Sequence, residues 1–471
     1  MIRASLGLAL AVLLLGATSP PPFTPAMAKH VDAVMNAALA RQFVPGAEVA
    51  IAENGRLVYV KGYGLRDVDD ALPVDARTAF AIGSVTKQFT AAGIMLLAQR
   101  GLVDVDAPLS TYLPDAPHAS EVTLRNLLTH TSGIVGFTEQ PDFSLVLPTT
   151  TTPAQIVATI QNAPLAFKPG TKWEYSNTNF VLLGQVIAKL SGEPYDAFLK
   201  DRLFDPLGLH RSWFTRIEEI HPDTARGYTE FMLGMPVEHA SLADWSWYDA
   251  AGGLTMSAAD LARWDIALDA GRVVSPASFT EMTTPQRLTN GTSTNYGFGL
   301  GVGSVYGHPT VGHDGLVSGF SAENLTFPQD RVAIVVLANS DGLADGPLIG
   351  QLSAIVYGIH PPAKPFKPIA QDPATFAQAR FWLEALLHGT LDRSRLSSEL
   401  SQSLPAYRID QLRADGKLLG EPLEVAPAGV DPRPPLTIRS YRVRFKNHLA
   451  RYIYTMNDAG KLAGFAIEAW D

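Results

Sequence analysis

"PGAEVAIAENGRLVYVKGYG", residues 45 to 64, sets two apolar, partly alternating runs on either side of Glu53-Asn54-Gly55. Asn-Gly between such runs is the strongest short hairpin signal, because both residues tolerate the positive φ that a tight turn needs. Strand patterning returns only after about Asn295, in "YGFGLGVG", "SGFSAENLTFP" and "RVAIVVLAN", separated by Gly, Pro and Asp turns. Between them lie helical patterns: "SVTKQFTAAGIMLLAQRG", "TLRNLLTH", "NFVLLGQVIAKLSG", "PYDAFLKDRLFDPLG" and "SAADLARWDIALDAG". Several stop at glycine, the usual helix terminator. Early strands, then helices, then late strands predict one sheet closed by both ends of the pattern, with a helical region beside it.

With 471 residues the chain exceeds the usual single domain, and its composition shifts mark two folded units. Residues 29–356 form the first, opening with an amphipathic helix from Lys29 to Gln42. A proline-rich linker, "YGIHPPAKPFKPIAQDP", covers 357–373, and 374–471 reads as a small α+β domain without a catalytic constellation. Its helices are expected in "ATFAQARFWLEALLHG" and "DRSRLSSELSQSL", its strands in "TIRSYRVRFKNHLARYIYTMND" and "GKLAGFAIEAW".

Residues 1–28 show Arg3, an apolar run from Leu6 to Leu15, then small residues and prolines ending in Ala26-Met27-Ala28. That is the layout of a secretory signal peptide, too short for a normal span. It predicts a periplasmic or secreted protein with no stable membrane insertion after cleavage; an uncleaved anchor is the alternative. A net charge of -9 gives no electrostatic reason to expect nucleic acid or an anionic membrane as partner. Without cysteine there is no disulfide framework, thiol nucleophile or cysteine zinc site, and no histidine pair has zinc-ligand spacing. No cofactor is expected, and oligomeric state is left open.

Three short patterns carry chemistry. Ser84-x-x-Lys87 stands at the start of an apolar helix, where residues three apart share a face and the lysine can reach the hydroxyl. Serine is a weak nucleophile until a base takes its proton, and burial would keep such a lysine partly neutral. An N-cap serine followed by a surface lysine is the bland alternative. Tyr175-x-Asn177 precedes another apolar helix; lysine's charge would favour a phenolate that shuttles protons, and the amide would hold a substrate carbonyl. Otherwise Ser176 or Asn177 simply caps the helix. In "VGHDGLVSGF", residues 311 to 320, His313 and Gly315 sit at a strand edge where glycine lets a substrate approach and the next amide reaches an oxyanion. A glycine-rich turn is the alternative there.

Each of these patterns occurs once, in this order. With the flanks "TLRNLLTHTSGI", "FKPGTKWEYSN", "AGGLTMSAADLARW" and "VVLAN", the chain resembles the penicillin-recognising serine hydrolases from about Lys29 to Asn339. The branch in question holds class C β-lactamases, D-alanyl-D-alanine carboxypeptidases, D-aminopeptidases and related esterases. The resemblance implies an α/β domain with a mostly antiparallel sheet and an all-α domain, the site lying between them. It makes Ser84 the acylated nucleophile, Lys87 and Tyr175 the proton-transfer pair and Asn177 a substrate contact. His313 stands where many relatives have lysine, beside Gly315, and the Ser84 and Leu316 amides form the oxyanion hole; no metal is required.

Asp314 departs from that pattern, since many relatives carry threonine or serine there to hold a substrate carboxylate. If it points into the cleft, penicillins and peptide C-termini bind poorly. The expected partner is therefore a small-molecule or short-peptide acyl substrate. Esters and small amides rank ahead of D-peptides, with β-lactams third and a non-catalytic cell-wall sensor as the alternative class. His130 is expected to bond backbone groups at a helix end, and Trp245, Trp247 and Trp264 to pack in the core rather than border the cleft. No G-x-S-x-G elbow exists, which argues against an α/β-hydrolase.

Overall fold

The computed structural model describes residues 19–42, 44–140, 143–215, 221–229, 237–241, 243–343, 345–360 and 366–469. Among these no helix is long and apolar enough to cross a membrane. The apolar run from Leu6 to Leu15 lies outside the described residues. Helix α1, Pro25–Gln42, begins earlier than expected, so the end of the expected signal segment forms its first turn. The cause lies just upstream, where the Phe23 N–H donates to Glu53 Oε2 at 2.9 Å and its ring tilts against Tyr59.

Strands β1 (Gly46–Glu53) and β2 (Arg56–Asp67) form the expected hairpin, with Asn54 and Gly55 both at positive φ. The helices that matter for the site follow: α2 (Thr86–Gln99), α3 (Asn177–Ser191), α4 (Asp249–Gly252) and α5 (Ala258–Asp269). The late strands are β3 (Gly301–Val305), β4 (His308–Val317), β5 (Phe320–Phe327) and β6 (Val332–Ala338). They join the hairpin in one antiparallel sheet ordered Leu72–Pro73, β2, β1, β6, β5, β4, β3. Ala47 pairs with Ala338 and Glu53 with Val332, so the early hairpin and the late strands meet at the centre.

Every residue of β6 is buried, because both faces of the sheet are covered. Val335 and Leu337 face the side of α2 and α5, among Phe89, Leu261 and Trp264. Val332, Ile334 and Val336 face α1 and helix α6 (Asp345–Val356), against Met35 and Leu352.

Glu48 of β1 is fully buried, and its Oε2 accepts the Ala258 N–H at the start of α5. Desolvation pushes its pKa up to about 8, helped by Asp260. Between its ordinary pKa and 8 the folded chain therefore holds a proton that the unfolded chain gives up, and stability falls as pH rises across that window. Glu48→Gln, which carries no such proton, is expected to be more stable than wild type at pH 8.5 by about 1–3 kcal/mol. In urea melts the gap should close as pH falls toward 4.5.

Beyond the linker, α7 (Pro373–Leu387) and α8 (Ala406–Leu419) pack on a four-stranded antiparallel meander, making the expected small α+β unit. Its strands are β7 (Glu424–Arg433), β8 (Leu436–Arg444), β9 (Leu449–Asn457) and β10 (Leu462–Ala469). It has its own core around Trp382, Leu386, Leu412 and Tyr452. Arg408 and Gln411 of α8 both donate to Glu238 of the larger unit.

Candidate active site

Ser84 sits in a 3-10 turn, Gly83–Val85, that leads directly into α2. Strand β4 crosses close over this turn. A Cβ on Gly315 would lie 2.1 Å from Ile82 O and 3.2 Å from the Ser84 N, and one on Gly83 would lie 3.0 Å from the Leu316 N. Both positions thus require glycine, and the approach they permit brings the Ser84 and Leu316 amides together. Two adjacent N–H donors beside a serine hydroxyl are the requirement for holding an oxyanion.

Two side chains converge on the Ser84 hydroxyl. Lys87, one helical turn along, places Nζ 2.9 Å from Oγ, and Tyr175 donates its Oη hydrogen to Oγ at 2.7 Å. Lys87 Nζ also donates to Asn177 Oδ1 at 2.8 Å and to Ala251 O of α4 at 2.7 Å. The lysine is fully buried, and desolvation pulls its pKa well below the usual value against the opposing pull of Asp314. A neutral amine keeps two N–H donors for Asn177 and Ala251 and turns its lone pair toward the Ser84 hydroxyl. The geometry serves a base.

Tyr175 departs from the expected phenolate. Its ring is partly open to the cleft, but the surrounding atoms desolvate the hydroxyl and push its pKa up, with Asp314 adding to the rise. It is therefore a phenol that donates. His130 holds it in place: the ring lies 4.3 Å from the Tyr175 ring, and Nδ1 accepts the Ser176 N–H at 3.2 Å. Buried and neutral, with its pKa well lowered by desolvation, His130 bonds backbone as expected. Asn177 spends one Nδ2 hydrogen on Thr138 Oγ1 and keeps the other for a ligand.

His313 lies inside β4 rather than in a turn. Its Nδ1–H donates to Asp314 O, and Tyr296 Oη donates to its Nε2 at 2.8 Å. Desolvation above all pushes its pKa down to about 4, outweighing Asp314, whose Oδ1 is 3.9 Å away. The ring is neutral, so the position that holds a lysine in many relatives contributes no positive charge. Asp314 points to the sheet face opposite His313 and Gly315, with its side chain 85% exposed at the cleft mouth. There it borders the cavity and still acts on Lys87 and Tyr175.

Ser84, Asn177 and Leu316 divide the cleft into two lobes. An outer cavity of about 530 Å³ is bordered by Tyr175, Trp173, Tyr296, Glu139 and Asp314. An inner one of about 410 Å³ is bordered by Phe137, Phe143, Tyr248, Val317 and Asp341. Sequence reasoning did not find Trp173, Tyr248, Tyr296 or Asp341, which lie on loops outside the three motifs. Trp264 is instead buried in the core, stacked 4.0 Å from Phe89, and Trp247 donates to Thr149 O. Among the described residues no group of three or more His, Asp or Glu side chains is placed to hold a metal ion.

A family model described as Beta-lactamase matches residues 31–356. The Bacillus subtilis protein PbpX is 33% identical over 309 residues, 65% of this chain and 73% of its own length. The D-aminopeptidase of Gluconobacter oxydans is 24% identical over 404 residues, 81% of this chain and 73% of that protein. Among solved structures, the D-amino acid amidase of Ochrobactrum anthropi SV3 superimposes with a TM-score of 0.63 at 27% identity, over 71% of this chain and 99% of that one.

Proposed function

The chain belongs to the β-lactamase family of serine hydrolases, and from that premise we propose that it cleaves small amides and esters, D-amino-acid derivatives included, through an acyl-enzyme on Ser84. The observation that carries this reading is the Ser84 hydroxyl, bonded by both Lys87 and Tyr175 and lying beside two convergent amides. Neutral Lys87 takes the Ser84 proton as Oγ adds to the acyl carbon, and the Ser84 and Leu316 amides hold the resulting oxyanion. As the intermediate collapses, the bond to the leaving amine or alcohol breaks and Tyr175 hands that group a proton, its own being restored from the Lys87 ammonium. Water then adds to the acyl-enzyme by the reverse proton route, and Oγ leaves as the hydroxyl. The N-terminal segment, with Arg3, its apolar run and its small residues, supports action in the periplasm or outside the cell.

The leaving group belongs in the outer lobe, next to Tyr175. That lobe offers neutral His313 together with Asp314 and Glu139, and no Lys or Arg is among the described residues that border it. A leaving group ending in a free carboxylate is disfavoured there. Purified protein should therefore turn over D-phenylalanine amide and 4-nitrophenyl esters faster than a D-alanyl-D-alanine peptide, and a cephalosporin slowest. Asp314→Asn should raise kcat/KM on the carboxylate-bearing peptide by about 3–10-fold, the scale of a rim charge. Rapid cephalosporin turnover by the wild type would overturn the ranking.

A further inference from the structure

Tyr175 borders the outer cavity and not the inner one. Because Tyr175 must protonate the leaving group, the acyl portion extends the other way, from Ser84 into the inner lobe. That lobe is mostly apolar and aromatic, through Phe137, Phe143, Tyr248 and Val317, and among the described residues on its wall Asp341 is the one with a formal charge. Asp341 follows β6 in "ANSDG" and is partly open to the cavity. Its Oδ2 accepts the Gly319 N–H at 3.2 Å, and the Thr229 hydroxyl also donates to the carboxylate. An ionised carboxylate offers about four lone-pair sites, so acceptor capacity remains for a ligand.

We propose that Asp341 reads an ammonium group on the acyl portion of the substrate, so that cationic acyl donors such as D-aminoacyl amides are preferred over their uncharged counterparts. The proposal rests on the Ser84 acyl-enzyme reading and deepens it. Charge across the whole cleft points the same way, since Asp341 in the inner lobe joins Asp314 and Glu139 in the outer one, while His313 is neutral. Acidic walls of low polarity concentrate cations and repel anions. Burial also raises the pKa of Asp341, and a docked ammonium would relieve that cost. Phe137, Phe143 and Tyr248 would meanwhile cover an apolar side chain on the same acyl group.

The test compares the 4-nitroanilides of D-phenylalanine, N-acetyl-D-phenylalanine and 3-phenylpropionic acid, which share the leaving group and the ring and differ in the amine. Wild type should favour the free amine over both others by about tenfold or more in kcat/KM, the scale of one charge-assisted contact. Asp341→Asn should collapse that ratio toward one, and Asp341→Glu should retain part of it. Equal or better cleavage of the N-acetyl compound by wild type would overturn the proposal without any variant. So would an Asp341→Asn enzyme that loses activity on all three equally, which is what a purely structural turn residue would give. Fluorophosphonate labelling of the same preparations separates the two readings. Labelled protein with a ratio near one refutes the Asp341 assignment alone, whereas unlabelled folded protein refutes the Ser84 acyl-enzyme.

Discussion

Ser84→Ala is expected to abolish covalent labelling by a fluorophosphonate and to lower kcat/KM on a 4-nitrophenyl ester by about five orders of magnitude, the scale at which removing a nucleophile leaves only binding and oxyanion stabilisation. The expectation follows from the hydrogen bonds, because Lys87 and Tyr175 both converge on the single oxygen that the substitution deletes. The Ser84 amide remains, so the Ala variant should still bind substrate. Intact mass after probe treatment, beside a thermal melt, gives the readout. Labelling equal to wild type would remove Ser84 from the mechanism.

Lys87→Met should cost about three to four orders of magnitude in kcat/KM, because it removes the general base while leaving the nucleophile and the oxyanion donors. Lys87→Arg should not rescue it, since a guanidinium keeps its proton. In wild type the amine must be neutral to act, so kcat/KM should rise with pH and level off well below the ordinary lysine pKa, as desolvation dictates. Stability should rise with pH alongside activity, because both favour the neutral amine. The unfolded chain holds the lysine proton at neutral pH more readily than the folded one does, so burying Lys87 costs stability there, and the cost grows as pH falls. The Met variant should therefore melt no lower than wild type while being almost inactive. An active Lys87→Met enzyme, or one whose pH profile matches wild type, would dismiss the lysine as base.

Much of the fold was legible because the decisive elements obey simple periodicities. Asn54-Gly55 announced the hairpin, and the runs from Phe320 to Phe327 and Val332 to Ala338 gave the strands that pair around it. What escaped had a physical reason. Strand β7 carries Pro427, Gly429 and Pro432, residues that argue against a strand; it is tolerated at a sheet edge with a bulge between Pro427 and Gly429. Helix α8 was missed because its face toward the small core is narrow, with only Leu412, Asp415, Gly416 and Leu419 buried. At the site, the motifs supplied Ser84, Lys87, Tyr175 and His313, but protonation states are set by neighbours distant in sequence. Tyr296 donates to His313 Nε2 and His130 supports the Tyr175 ring, and neither contact has a local signature. Asp341 belongs to a loop after the last strand of the sheet, so only folding brings it into the cavity with Ser84.

The pairing of β1 with β6 bears on how the enzyme is made. As the chain is synthesised from its N-terminus, the α2 segment with Ser84 and Lys87 emerges long before Gly315 and Leu316, and the sheet cannot close until Ala338 is free to meet Ala47. Contacts of such long sequence separation form late and slowly. A partly made chain thus carries Ser84 without the Leu316 amide, and without the strand β4 that crosses its turn. The two amides beside Ser84 therefore come together only once β4 has docked over its turn, late in the assembly of the sheet.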